Sequence, residues 1–329
     1  MEELKHLSNF ELTAIPPYCF ELTARKPLGY HWLTPSEVFS NGILWTAIGL
    51  SSGKIVGLRL NSMGDVEQPR VLVAVFSDEK ITNEEEGEIL DTVTRCAELE
   101  VNIADFYHVA EQDRILQQAI IDLYGMRCGK QQCLFHGLVR AITMQWASLT
   151  RTRQMQGLLL QEYGRRVAFD GHTIVAWFTP EQIDEVPIKE LKETCKLGFR
   201  ARYLKAIAKS VRDGKCPTSE ELEGVPFERA KAELMMLEGM GEYSAEIALP
   251  HSERFPIDVW SMKMFWRLFF PHEALPPPQI AIRKVRQRAE ERWGKWRGYA
   301  FIYVINDFDN LSKLARKPTA SAVGVSTKT

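Results

Sequence analysis

The 329-residue sequence has no long hydrophobic segment. None of its apolar runs approaches the roughly 20 residues that a membrane-spanning helix needs, and its first residues, MEELKHLSNF, are too polar for a secretory signal peptide. Hydrophobic residues still make up 45% of the chain, enough for a full core. We therefore expect a soluble intracellular protein without a membrane partner, located in the cytoplasm or nucleoid if the source is prokaryotic.

Closely spaced cysteines are also missing. The six cysteines occur without a Cys-x-x-Cys pair, at Cys19, Cys96, Cys128, Cys133, Cys195 and Cys216. Structural zinc sites and disulfide frameworks use clustered or regularly spaced cysteines. The sequence therefore predicts neither kind of site.

The chain has little net charge, -2 at pH 7, but its charges are unevenly distributed. Residues 78–100 are rich in acids, whereas two basic runs occupy residues 189–215 and 283–297. Phosphate binding depends on the local field, so the low net charge does not exclude a nucleic acid as partner. A solvated helix face is the alternative explanation for each basic run.

Residues 1–110 are predicted to form a small antiparallel sheet domain with a flanking helix. Alternating or continuous apolar residues predict strands at 18–23, 43–50, 55–60 and 71–76. The flanking helix is predicted to begin at Thr82, where a capping residue precedes an acidic first turn. Apolar residues then follow at three- and four-residue steps from Ile89 to Leu99.

Helical periodicity dominates the rest of the sequence, and we predict a helical domain of two lobes over residues 111–316. The clearest segments are 115–124, 134–163, 204–212, 230–237, 281–292 and 298–306. Pro276, Pro277 and Pro278 are expected to begin a helix. Residues 317–329 are small and polar, which predicts a disordered tail. The predicted fold class is mainly α, with an N-terminal α+β part.

One segment carries the strongest functional signal. Residues 237–248, LEGMGEYSAEIA, place a Gly-Met-Gly turn before a helix, and residues 255–258, FPID, end in an aspartate 17 residues after the second glycine. A helix entered through glycines offers free backbone N–H groups and the positive end of its dipole, which suits a nucleic-acid phosphate. The aspartate follows as a candidate catalytic group beside the bound strand.

This combination resembles the helix-hairpin-helix base-excision DNA glycosylases, whose pattern is Leu-x-Gly-hydrophobic-Gly-x-x-x-Ala followed by Pro-x-Asp. Four further segments are similar to family elements in the family's order: LFHGLVRAITMQWAS at 134–148, AWFTPEQ at 176–182, LGFRARYL at 197–204 and ERWGKWRGYA at 291–300. Within the superfamily, the chain most resembles the monofunctional 3-methyladenine DNA glycosylase II branch, which also has a sheet domain before the helical pair.

By this resemblance, Asp258 is the catalytic carboxylate. Cleavage of an N-glycosidic bond builds positive charge on the sugar, and a fixed carboxylate beneath C1′ stabilises that charge and can help to orient water. Helix capping is the other interpretation, because an aspartate just before a helix, here predicted at 259–269, is also a good N-cap. The two roles are compatible.

Tyr243 decides the predicted reaction type. Bifunctional members of the superfamily have a lysine at this position, whose amine forms a Schiff base with the sugar, and tyrosine cannot form an imine. The resemblance therefore implies a monofunctional enzyme that leaves an intact abasic site. Ordinary helix packing is the alternative role for Tyr243, and Lys263, five residues after Asp258, leaves lyase activity as a minor hypothesis.

The resemblance also implies a base pocket and a set of DNA contacts. The flipped base would lie in a pocket formed by Tyr243, Trp260, Ile247 and Ile305, where the two isoleucines replace aromatic side chains of the alkylpurine branch. Trp146 would fill the gap that the base leaves, unless it is half-buried core. Gln145 would contact the DNA or the unpaired partner base, or bridge backbone groups. The implied DNA contacts are Gly239, Gly241, Ser244, Gln145, Trp146 and Arg200.

A single bound ion is the only cofactor that the resemblance suggests, and none is expected to be required. The family's hairpin holds a monovalent or similar hard cation through backbone carbonyls, which here would be those of Met235, Leu237 and Met240. The methionine side chains are expected to pack in the core. The four-cysteine iron–sulfur loop of some members is absent, because no cysteine follows Cys216.

The sequence thus predicts a DNA glycosylase that acts as a monomer on double-stranded DNA containing a damaged base. It would flip a damaged purine, most simply an alkylated one such as 3-methyladenine or 7-methylguanine, and hydrolyse its N-glycosidic bond in base excision repair. An 8-oxoguanine-type glycosylase and a non-catalytic helix-hairpin-helix DNA-binding protein are the alternatives.

Overall fold

An antiparallel sheet forms the first part of the structure, a computed structural model that describes residues 3–25, 37–249, 251 and 253–316. Its strands are β1 (Lys5–Thr13), β2 (Val38–Ser40), β3 (Ile43–Gly49), β4 (Ile55–Met63) and β5 (Arg70–Ser77), in the order β1-β5-β4-β3-β2. A separate hairpin consists of β6 (Arg165–Phe169) and β7 (His172–Ala176). The predicted antiparallel sheet is confirmed, with the strands predicted at 43–50, 55–60 and 71–76.

Both faces of the sheet are covered, which explains the continuous apolar run in β5. Val73 and Val75 pack on one face in a cluster with Ile89. Phe76 packs on the other face in a cluster with Phe169, from the β6–β7 hairpin. A strand that is buried on both sides has no exposed positions to occupy with polar residues, so its sequence does not alternate.

The strand predicted at 18–23 is wrong, because this segment contributes to helix α1 (Phe20–Ala24). Phe20, Thr23 and Ala24 are buried together, and their spacing fits one face of a helix. The Thr23 hydroxyl also donates to the Cys19 carbonyl at 2.8 Å, within the first turn. Strand β1 was not predicted, since it lies at the sheet edge and its exposed and half-buried positions give a weak apolar signal.

Helices predominate after the sheet. Helix α2 (Asn83–Ala97) begins as predicted at Thr82, which forms a capping box with Glu85. The other helices confirm the predicted helical segments, including a helix that begins at Pro278. They are α3 (Ala104–Glu111), α4 (Leu116–Asp122), α5 (Leu134–Met144), α6 (Leu149–Tyr163), α7 (Pro180–Glu185), α8 (Ile188–Glu193), α9 (Arg200–Arg212), α10 (Ser219–Glu223), α11 (Phe227–Met235), α12 (Glu242–Ala248), α13 (Val259–Phe269), α14 (Pro278–Trp293), the 3-10 turn Gly294–Trp296, α15 (Arg297–Asn306) and α16 (Phe308–Arg316).

These helices pack around two separate hydrophobic cores. The first helical core is formed by buried residues between Leu134 and Leu249, from α5 to α12. The second helical core combines residues 103–128 with residues 255–311, which include α3, α4 and α13 to α15. The chain therefore leaves the second core after α4 and returns to it at α13.

The predicted division into residues 1–110 and 111–316 stays a prediction, although Phe106 and Ala110 of α3 already pack in the second helical core. The tail predicted at 317–329 lies outside the described residues. Within the described ranges, no helix combines the length and the apolar character needed to cross a membrane.

Candidate active site and nucleic-acid interface

The predicted hairpin joins α11 to α12 through a tight turn. Gly239 has φ +83°, and a Cβ there would lie 2.3 Å from Cγ of Tyr203, so both the backbone conformation and the space require glycine. The Met240 N–H donates to the Leu237 carbonyl at 3.1 Å and closes the turn. Gly241 is exposed and precedes α12 without a side-chain cap. The first backbone N–H groups of α12 therefore have no side-chain cap and follow an exposed glycine. Such free N–H groups can donate hydrogen bonds to a phosphate.

The cation predicted at the hairpin carbonyls stays a prediction. Leu237 uses one lone pair of its carbonyl oxygen for the Met240 N–H, and the second lone pair suits a hard cation. Among the described residues, no group of three or more His, Cys, Asp or Glu side chains could hold a metal ion. The Met240 side chain packs in the first helical core as predicted, whereas that prediction is wrong for Met235, which is 43% exposed.

Gln145 connects the end of α5 to the hairpin. Its Nε2 donates to the Gly239 carbonyl at 2.7 Å and to the Ser244 hydroxyl at 3.0 Å. Ser244 is itself buried. The side chain of Gln145 therefore bridges groups inside the protein, which was one of the two roles predicted for it. A direct contact of Gln145 or Ser244 with DNA stays a prediction.

Trp146 is the most exposed large hydrophobic side chain of the described residues, at 94%. It lies between α5 and α6, and its φ of +48° places the backbone in the left-handed region, which is uncommon for a non-glycine residue. Ser148 caps α6 by accepting the Arg151 N–H at 3.2 Å, so the predicted helical segment 134–163 is divided in two. The half-buried alternative for Trp146 is wrong, and its ring is free to contact a partner.

Arg200, the first residue of α9, is largely buried and directs its guanidinium into the protein. Nε donates to the Gln145 carbonyl at 2.9 Å, and Nη2 donates to the same oxygen. Nη1 donates to the Leu197 carbonyl at 3.3 Å. These bonds tie α9 to the loop that carries Trp146, and the predicted DNA contact of Arg200 stays a prediction.

Asp258 is held in a fixed orientation at the start of α13. Its Oδ1 accepts hydrogen bonds from the Ser261 N–H and the Ser261 hydroxyl, both at 2.7 Å, and the Asp258 N–H donates to that hydroxyl at 3.0 Å. The predicted helix cap is therefore confirmed. The other oxygen, Oδ2, has no hydrogen-bond partner among the described residues, and the side chain is partly exposed. Capping by one oxygen thus leaves the second oxygen available for chemistry.

A cleft lies between residues of the two helical cores; its lining reaches Pro256, two residues before Asp258, but does not include Asp258 itself. Of the four predicted pocket residues, Ile247 lines it, together with Pro256, Phe301 and Ile302. Ile305 and Trp260 do not line it: Ile305 is buried in the second helical core, and Trp260, two residues after Asp258, is half-exposed. Tyr243 is half-buried and packs against the first helical core. Phe301 of the cleft lining was not predicted from the sequence, although it precedes Ile305 by one helical turn on α15.

Glu246 connects the two helical cores at the wall of this cleft. The side chain belongs to α12, is 1% exposed, and pairs with Nη1 of Arg286 on α14 at 2.6 Å. Its Oε2 also accepts the Phe255 N–H at 2.8 Å, three residues before Asp258. Burial raises the pKa of Glu246, and the positive charge of Arg286 acts in the opposite direction. Glu246 was not singled out from the sequence, because the positions of its partners depend on the tertiary fold.

The second basic run is largely used in ion pairs, and the first run is used in them in part. This favours the structural and solvated explanation for most of their charges. Lys192, Lys196 and Lys209 are exposed members of the first run. The paired residues and their partners are Arg202–Glu238, Lys205–Asp184, Arg212–Asp184, Lys215–Asp213, Lys284–Glu273, Arg286–Glu246, Arg288–Glu291, Arg292–Asp113, Lys295–Asp105 and Arg297–Glu290.

Several known proteins are similar to this chain over most of its length. No protein-family model matches the sequence. A DNA-3-methyladenine glycosylase from Bacillus subtilis is 22% identical over 311 residues, which cover 91% of this chain and 97% of that protein. The structure of a 3-methyladenine DNA glycosylase from Archaeoglobus fulgidus is similar with a TM-score of 0.70 and 23% identity, over 92% of this chain and 98% of that one. An 8-oxoguanine glycosylase/lyase from Clostridium acetobutylicum is similar with a TM-score of 0.67 and 16% identity, over 93% and 98%.

The chain has the helix-hairpin-helix glycosylase fold. The predicted resemblance to this superfamily and the predicted fold class are thereby confirmed. In this fold, the hairpin of the first helical core and Asp258 of the second are joined by only a short segment, residues 249–257. The roles of the individual site residues stay predictions.

Proposed function

We propose that this protein is a DNA glycosylase that removes a damaged purine from duplex DNA by hydrolysis. The observation that carries the proposal is the carboxylate of Asp258, with Oδ1 fixed by Ser261 and Oδ2 without a partner among the described residues. It occurs in a helix-hairpin-helix glycosylase fold, two residues after Pro256, which lines the cleft between the two helical cores. The 3-methyladenine glycosylases of Bacillus subtilis and Archaeoglobus fulgidus, each similar over more than nine-tenths of this chain, support the same reaction class.

The first step is extrusion of the damaged nucleotide. A base within a duplex cannot be reached by a carboxylate, so the nucleotide must rotate out of the stack. The hairpin N–H groups at Gly241 would hold a backbone phosphate, and the exposed ring of Trp146 would occupy the vacated position. Neither group has to move out of a packed interior to do so.

The second step is cleavage of the glycosidic bond. The bond between C1′ and the purine nitrogen breaks, and its electron pair leaves with the base. The positive charge that develops on the sugar is stabilised by the Asp258 carboxylate, whose orientation Ser261 has already fixed. Water then attacks C1′ and releases a proton to solvent when the departing alkylpurine was cationic, or to the departing base when it was neutral, which gives an abasic site in an intact strand.

The enzyme is proposed to be monofunctional, because Tyr243 on α12 has no amine with which to form an imine. Lys263 is exposed on α13, one and a half turns beyond Asp258. Borohydride should therefore trap no covalent enzyme–DNA adduct, and product strands should break only after alkali or heat. A trapped adduct would assign lyase chemistry to this protein.

Alkylated purines are the proposed substrates, acted on inside the cell as part of the repair of genomic DNA. The names of the two 3-methyladenine glycosylases support this class. An 8-oxoguanine substrate is the second candidate, supported by the similar Clostridium acetobutylicum glycosylase/lyase. Tyr243 favours the first candidate because it is incompatible with the lyase step.

A set of duplexes, each with one modified base, tests the proposal. Single-turnover release should be measured for 7-methylguanine, 3-methyladenine, hypoxanthine, 8-oxoguanine and uracil, with Asp258→Asn as the inactive control. We expect release of a methylated purine that the control does not release. Specific binding to lesion duplexes without release of any base would instead identify a non-catalytic DNA-binding protein.

A further inference from the structure

Arg200 makes an unusual set of contacts for a basic residue near a DNA-binding surface. The side chain is 8% exposed, and two of its nitrogens, Nε and Nη2, donate to one oxygen, the carbonyl of Gln145. Nη1 donates to the Leu197 carbonyl, and the ring of Phe199 lies 4.6 Å from the guanidinium carbon. The charge is therefore directed at backbone oxygens inside the protein.

The Gln145 carbonyl belongs to the peptide bond that connects Gln145 to Trp146. Because a peptide unit is planar, fixing this oxygen also fixes the direction in which the Trp146 backbone begins. The Gln145 side chain is held independently by the Gly239 carbonyl and the Ser244 hydroxyl. A residue in the left-handed region persists only where its surroundings hold it there, and Trp146 has φ +48°.

A second contact joins the same two loops. Nη2 of Arg151, in the first turn of α6, donates to the Lys196 carbonyl at 2.7 Å. Lys196 also has a positive φ, +56°, and so does Gly198, two residues later, at +60°. The loop before α9 and the loop before α6 therefore support each other on both sides of Trp146.

We propose that Arg200 is a positioning residue, which keeps Trp146 in the conformation that inserts into DNA, and that it is not a phosphate contact. This inference rests on the proposed function, because it assigns the insertion step to Trp146. Loss of Arg200 should release the Gln145–Trp146 peptide from its fixed orientation. Trp146 would then sample other backbone conformations before each encounter with DNA.

The first test measures the conformation of Trp146 without DNA. Protein labelled with 5-fluorotryptophan gives a 19F resonance for Trp146, which is assigned by its loss in Trp146→Phe. Arg200→Ala should split or broaden this resonance, and Arg200→Lys, which retains the charge but lacks the planar pair of donors, should change it in the same direction. Arg202→Ala is the matched control: it removes an exposed charge two residues later on α9 and should leave the resonance unchanged. An unaltered resonance in Arg200→Ala would overturn the proposal.

The second test measures excision of one lesion in a normal pair and in an unpaired bulge. Arg200→Ala should slow excision from the pair about 10-fold and excision from the bulge much less. In a protein that already carries Trp146→Ala, adding Arg200→Ala should slow excision little further. If Arg200 instead contacts a phosphate, its loss should weaken binding to all duplexes, and the dependence of the binding constant on salt concentration should fall by about one released ion. This should hold with either tryptophan or alanine at position 146. That second pattern would contradict the proposal. Wild-type protein that excises no lesion would refute the proposed function instead, while the resonance test would still measure the role of Arg200.

Discussion

The two helical cores differ in composition and in the part of the site that each supports. The first helical core is mostly aliphatic, and its helices and loops hold all six predicted DNA contacts. The second contains an interlocked set of aromatic rings, such as Phe255, Phe265 and Phe301, with ring centres 5.1 to 5.5 Å apart, and it supports Asp258. The predicted DNA contacts thus belong to the first helical core, and the predicted catalytic carboxylate belongs to the second. A substitution in one core should therefore affect either DNA binding or base excision more than the other.

Asp258→Asn should give the largest effect on excision. It should leave DNA binding, the function predicted for the first helical core, unchanged. Removing the negative charge should slow excision by about 10²- to 10³-fold or more, because the developing positive charge loses its partner. Asparagine caps helices about as well as aspartate, so stability should change little. Binding to abasic DNA and unfolding by urea should match wild type, and excision near the wild-type rate would remove Asp258 from the mechanism.

Glu246→Gln should damage the connection between the two cores. The Arg286 guanidinium loses its buried partner, so we expect a loss of roughly 2–4 kcal/mol in the free energy of unfolding. Excision should also slow, because the Phe255 N–H contact helps to set the segment that leads to Asp258. Glu242→Gln is the control, since Glu242 is half-exposed and lies 3.5 Å from the same guanidinium. Equal losses in both variants would contradict a special role for Glu246.

Gly239→Ala should damage the first helical core alone. The new methyl group would meet the Tyr203 ring, and alanine is disfavoured at φ +83°, so we expect a loss of about 1–3 kcal/mol in stability together with weaker DNA binding. Gly241→Ala provides the contrast: its Cβ would meet nothing within 4 Å, and its φ of -90° suits any residue. Chemical denaturation of both variants measures the difference, which should be at least about 1 kcal/mol.

Trp146→Ala should have the smallest effect on the free protein. A side chain that is 94% exposed contributes little packing, so stability should stay within about 0.5 kcal/mol of wild type. Excision from a normal pair should slow about 10-fold, because the vacated stack is no longer filled, while excision from an unpaired position should be almost unchanged. Equal losses on both substrates would argue against insertion of the ring.

Local signals in the sequence predicted much of the fold. Thr82 and Asp258 were predicted as helix caps because capping depends on residues three positions apart. The double-faced strand β5 was visible as a continuous apolar run. The β6–β7 hairpin was missed, although Asp170 and Gly171 at its turn both have positive φ, as the common Asp-Gly turn requires.

The candidate site was predictable where its chemistry is local, and not where it depends on distant partners. The hairpin glycines and Asp258 were found from their spacing. The inward orientation of Arg200 and the link from Glu246 to Arg286 depend on residues 40 or more positions away in the chain. Several charges of the basic runs are likewise paired with acids that only the fold brings near, as Arg292 is with Asp113. Counting the basic residues of a segment therefore overestimates how many of them remain unpaired and able to bind DNA phosphates.

If Trp146 inserts into DNA as proposed, its exposed ring also affects the search for damage. Its conformation is set when the protein folds, so no ordering of this loop has to accompany each encounter with a base pair. A ring with a preset conformation can contact many base pairs while the protein slides along DNA once. It should open weak base pairs more readily than strong ones. Lesions that loosen their own pairing should consequently be found sooner than equally reactive lesions that pair well.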